Sequence, residues 1–168
     1  MQKTNLIGTL LKSVLWLLFI PAYAASATEC SPSINGYNRG EWMFESYKTT
    51  SEIGFYTLEK CDSVDIDHVV SLKDAHISGG SSWSAEAKRL FANDSENLVP
   101  ACTYVNRSKG SATPAEFLRR SGDGKGLDYE LVGFCMYLMK YYSIKIKYEL
   151  SFCNNNRQTF ASCGIAID

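Results

Sequence analysis

Apolar and polar residues alternate along "SVDIDHVVSL". Val64, Ile66, His68 and Val70 fall on one side, and Asp65, Asp67 and Val69 on the other. A period of two predicts a strand. A regular strand sets Asp67 and His68 on opposite faces, and a twist or bulge at its end brings such neighbours toward one site. Ser84 stands as an N-cap before "AEAKRLFAND", which predicts a helix of about three turns with Leu90 and Phe91 on its buried face. "SENLVPA" predicts a second extended piece. "CTYVNRSKGS" predicts a helix that ends at Gly110, and Pro114 opens another turn. In "YELVGFCMYLMKYY", Leu131, Phe134, Cys135, Leu138 and Tyr142 recur at helical spacing behind Asp128 as cap. The alternation of "SIKIKYELSF" predicts a closing strand. "EWMFESYKTTSEIGFYTLEKCD" has no clean period, and one or two short strands are expected there. "TECSPSINGYNRG" and "SGDGKG" read as irregular segments.

The start of the chain belongs to a different pattern. Lys3 and Lys12 precede the apolar run Val14 to Ile20, and Ala22-Tyr23-Ala24 gives a small-x-small cleavage site. Residues 1–24 therefore read as a secretory signal peptide, and the apolar run is too short for a membrane-spanning helix. Residues 25–168 are expected to form a single domain, with no stable membrane association after cleavage. All six cysteines (30, 61, 102, 135, 153 and 163) lie beyond the cleavage site. An even number in an exported chain implies disulfides. The pairing stays open, with Cys153–Cys163 as the simplest C-terminal closure. No Cys-x-x-Cys pair occurs, which argues against zinc.

Net charge is −1 for the whole chain. Its distribution says more than its sum. Residues 29–100 carry six Lys/Arg and twelve Asp/Glu, whereas residues 101–147 carry eight and four. A basic second half suits a local patch for a polyanion.

Both histidines of the chain, His68 and His76, fall within "DIDHVVSLKDAH" together with Asp65, Asp67 and Asp74. A zinc site from the two histidines lacks a third ligand at sensible spacing. Asp67-His68 at a strand end, then Asn97, then a helix carrying Asn106 is a more informative order. The segments "DHVVSLKDAHISGGSSW", "RLFANDSENLVPA" and "VNRSKGSATPAEF" resemble an HNH endonuclease of the ββα-metal, or His-Me finger, superfamily. The resemblance is dense from Asp67 to Phe117, about a third of the chain beyond the leader. Ser71 replaces the usual Pro, His76 replaces a frequent Trp, and the third motif residue is Asn106 rather than His.

The resemblance implies an α+β fold with a ββα-metal (His-Me finger) core at about 62–117, extra helices and strands, and disulfide bracing. It implies a secreted or periplasmic endonuclease that cuts DNA, and RNA as a second possible substrate, with little sequence preference. His68 would be the general base, and Asn97 would orient its ring through a hydrogen bond. Asp67 and Asn106 would ligate one divalent metal ion, Mg2+ or alternatively Mn2+, because their oxygens are hard donors. Lys109, one turn past Asn106, would touch phosphate or stabilise the transition state. Arg107 and Arg39 are weaker candidates for that task. If the protein is a toxin, an immunity or inhibitor protein is an expected partner. The alternative is a disulfide-stabilised nucleic-acid-binding or interaction protein with an inactive HNH fold.

Overall fold

The computed structural model describes residues 36–124, 128–152 and 154–167. The expected signal segment, Cys30 and Cys153 lie outside them. Two strands, β1 (Val64–His68) and β2 (Leu98–Cys102), pair antiparallel with Asp67 opposite Val99 and His68 opposite Leu98. Helix α1 (Leu72–Ile77) and helix α2 (Ala85–Ala92) fill the connection between the strands, and α3 (Thr103–Lys109) follows β2 without a loop. Helices α4 (Pro114–Arg120), α5 (Phe134–Lys147) and α6 (Arg157–Ala161) complete the order. The result is a mixed α+β protein with a two-stranded sheet and disulfide bracing. No helix among the described residues is long and apolar enough to cross a membrane.

Local chemistry explains most boundaries. The Ser84 hydroxyl accepts from Ala87 N–H and starts α2 as expected. Gly110 closes α3 at φ +51°, a conformation that costs glycine nothing. Thr113 and Glu116 form a reciprocal capping box around Pro114 at the head of α4. Thr113→Ala is expected to lower stability by about 1 kcal/mol in urea denaturation, with no change in cooperativity. A loss near zero would mean that α4 is held by packing alone.

Several expectations are corrected. Residues 143–147 do not begin a closing strand but continue α5. Tyr137, Leu138, Tyr141, Ile144 and Lys145 are its buried stripe, so Ile144 and Ile146 alternate in sequence while only the first faces the core. Asp128 caps no helix. Its carboxylate accepts from Gly124 N–H, and α5 begins after Gly133. Phe91 is buried as expected, but Leu90 is exposed. Residues 41–62 hold a single isolated bridge, Ile53 to Lys60, among the described residues. Cys163 pairs with Cys135, joining α5 to the segment after α6, rather than with Cys153.

The other disulfide, Cys61–Cys102, fastens the approach to β1 onto the end of β2. It closes a loop of 41 residues, worth about 4 kcal/mol of unfolded-state entropy. Gly54 lies against it. A Cβ there would come within 2.9 Å of Cys102 Sγ. Around this clasp the core is aromatic. Tyr56 packs edge-to-face on Phe117 and Tyr137, and Trp42 on Phe91. On the α1 side, Lys145 Nζ donates to Asp74 Oδ1 and Ser78 Oγ, and Tyr141 donates to Asp74 Oδ2. This buried network ties α5 to α1.

Candidate active site

The end of β1 is fixed by Asn97. Val69 N–H donates to the Asn97 carbonyl, Val70 N–H to Asn97 Oδ1, and Asn97 Nδ2 donates to the Val70 carbonyl. The side chain is fully buried. Asn97 is thus no partner of the His68 ring, which corrects the expected hydrogen bond. It braces the backbone immediately after His68 and so holds the point from which the ring projects.

The ring itself is held by a group that a sequence does not display. His68 Nε2 lies 2.7 Å from the carbonyl of Ala92, the last residue of α2. A carbonyl only accepts, so Nε2 carries the proton and the neutral ring keeps its lone pair on Nδ1. The exposed ring of Phe44 stands edge-on to the imidazole at 6.4 Å, with the Arg39 guanidinium 4.5 Å from the Phe44 centroid. Burial pulls the His68 pKa below its ordinary value. The Ala92 carbonyl and Asp67 oppose that, and Lys109 and Arg39 reinforce it. The ring is therefore neutral and basic near pH 7.

His68 opens onto a cleft of about 450 Å³ that Asp65, Asn106, Arg39, Phe44 and Tyr47 also line. Asn106 reaches it from α3, and its Nδ2 donates to Asp65 Oδ2 at 3.2 Å. Asp65 is thereby placed beside Asn106, a role the sequence had not singled out. Alternation explains it, since Asp65 and Asp67 share the face of β1 on which α3 packs.

Asp67 is the buried member of that pair. The Tyr56 hydroxyl donates to its Oδ2 at 2.6 Å, and Lys109 Nζ lies 2.8 Å from the same oxygen. Burial, then Asp67 itself, push the Tyr56 phenol well above its ordinary range, so it remains a donor. Lys109 is only 1% exposed, and its ammonium also donates to the His68 carbonyl at 2.8 Å. This corrects the expectation that Lys109 reaches out to phosphate. It is spent on Asp67 and on the backbone of His68. Arg107, beside Asn106, is exposed and lines a different cavity. His76 is buried against Tyr37, at 5.4 Å and edge-on.

The expected metal ligands offer hard oxygens but are not both in the cleft: Asn106 lines it, whereas Asp67 is buried and is not among its walls. Both described contacts of the Asp67 carboxylate fall on Oδ2, and Oδ1 has none among the described residues. The Asn106 amide commits its nitrogen to Asp65 and leaves its oxygen without a described protein partner. Two protein oxygens suit Mg2+, which keeps much of its water shell. No group of three or more His, Cys, Asp or Glu side chains able to hold a metal occurs among the described residues, so such an ion would depend on the amide oxygen.

Over 108 residues the chain is 32% identical to an "uncharacterized secreted protein" of the fungus Arthroderma benhamiae. The match covers 63% of this chain and 48% of that protein, so the chain spans about half the length of the curated relative it matches. No family model and no solved structure matches the chain. The expected export holds. Like that relative this is a secreted protein, and its two described disulfides belong to an oxidising compartment.

Proposed function

We propose that the protein is a secreted, divalent-metal-dependent endonuclease that hydrolyses phosphodiester bonds of DNA with low sequence specificity. RNA is the second substrate to test. The observation that carries this reading is the His68 ring. It is locked by Ala92 as the Nε2–H tautomer, neutral, and set at a cleft beside an amide and a carboxylate. Nδ1 then takes the proton of a water attacking phosphorus. Lys109 keeps the His68 carbonyl in place, and Asn97 keeps the next two residues in place, so the lone pair is presented in one direction. Asp67 and Asn106 would hold the metal ion. When bound, such an ion neutralises charge on the phosphate and the leaving oxygen. The cleft has no recognisable sequence-reading element, which agrees with contacts to backbone rather than bases.

One observation favours the inactive, nucleic-acid-binding alternative: Asp67 is already neutralised by Lys109 and Tyr56. Plasmid nicking with Mg2+, with Mn2+ and with chelator separates the two. Metal-dependent nicking is expected, and its absence under every metal would leave the binding reading.

The pH dependence follows from His68. Its proton must be absent for it to act as base, and its pKa lies below the ordinary 6.5. Activity is expected to hold as pH falls from 8 to about 7 and to drop through a midpoint below about 6.5. A midpoint well above that in a kcat/KM profile would exclude His68 as the base.

A further inference from the structure

A second cavity lies apart from the one at His68. It has a volume of about 700 Å³ and lies along the same helix, α3. Arg107, Arg119 and Arg120 line it, with Asp62 and Asp123 as the acidic members of its wall. Arg120 is fixed in advance. Its Nη1 donates to the Ser108 and Lys109 carbonyls at 3.0 and 3.2 Å, which caps the C-terminal end of α3. Its other guanidinium nitrogens have no described partner. Arg119 is exposed and sits 3.6 Å from the half-buried Asp123, a loose contact that leaves the guanidinium open to an anion. Arg107 is exposed.

Neighbouring residues on two chain segments line the two cavities. On α3, Asn106 lines the His68 cleft and Arg107 lines the arginine cavity. At the start of β1, Val64 lines the first and Ser63 the second. The two linings are therefore consecutive residues on each segment. A polynucleotide with one phosphate at His68 necessarily carries further phosphates a short way along, and arginine forks match phosphate geometry.

We propose that the arginine cavity binds the backbone of the same nucleic-acid strand that is cut at His68, a short way along from the scissile bond. The proposal rests on the nuclease reading and adds a flanking phosphate subsite to it. The cavity contributes affinity and no proton transfer.

The test uses the full chain and the double variant Arg107→Ala/Arg119→Ala, which changes two exposed side chains and leaves Arg120 on α3. A control double variant, Lys140→Ala/Arg157→Ala, removes equal charge from α5 and α6. Binding of a fluorescein-labelled single-stranded oligonucleotide is measured by anisotropy on a His68→Ala background over a salt series. Cleavage of bis(p-nitrophenyl) phosphate is measured with His68 intact. The arginine variant is expected to weaken oligonucleotide binding roughly tenfold at low salt and to flatten the log–log salt slope by about 1.4 for two lost contacts. Its turnover of the small diester is expected to be unchanged, and the control variant is expected to bind like wild type. Equal weakening by the control would overturn the subsite in favour of general charge. A parallel fall in small-diester turnover would overturn it in favour of a structural role. Unchanged binding in a protein that still nicks DNA would also overturn it and leave the nuclease reading intact. Arginine-dependent binding in a protein that cuts nothing would uphold the cavity and remove the nuclease reading.

Discussion

His68→Ala is expected to lower the proposed metal-dependent plasmid nicking by about 10²- to 10⁴-fold, the usual contribution of a positioned general base. The cause is specific. His68 is the imidazole among the described residues lining the cleft; Nε2 is tied to a backbone carbonyl and Nδ1 has no described partner. Stability changes much less, because the ring is half-buried and Asn97, rather than the imidazole, holds the end of the strand. Nicking rates and urea midpoints measured on one preparation separate the two effects. If wild type and variant nick at the same rate, the base has been misassigned.

Lys109→Met lowers folding stability by about 3–5 kcal/mol at neutral pH. Methionine fills much of the space of the lysine stem but leaves the Asp67 carboxylate with only the Tyr56 hydroxyl in a buried setting. The penalty is the cost of an orphaned negative charge. Urea denaturation of Lys109→Met beside the double variant Lys109→Met/Asp67→Asn reads this directly, since the neutral amide is expected to recover most of the loss. No recovery would mean that packing, not charge, makes Lys109 matter. The proposed nicking is expected to fall as well, because the same ammonium holds the His68 carbonyl.

What the sequence disclosed depended on how local each cause was. The caps at Ser84 and Gly110 act within a few residues, and the helices they delimit lie where the residues suggest. The alternation at 64–68 is also local, and with it the opposite placement of Asp67 and His68. The second half of α5 could not be read this way. Lys145 looks like the outward residue of a strand, and Asp74, 71 positions away, with Ser78 and the Ser151 carbonyl, makes its burial tolerable. The site divides along the same line. Asp67, His68, Asn97 and Asn106 were marked by their order in the chain. The Ala92 carbonyl was invisible, since every residue has one. Tyr56 was hidden among ten tyrosines. The reassignment of Lys109 depends on depth: a helix of seven residues offers no hint that its last lysine turns inward.

Two five-residue strands make a ribbon that is marginal without support, and here Cys61–Cys102 ties its open end shut. In a reducing cytosol those sulfurs remain thiols. Biogenesis and competence are thereby assigned to different places. A freshly made chain lacks its rivet, and crossing to the outside both delivers the protein and finishes it. Under the proposed nuclease activity, that timing would shield the producer's own chromosomes.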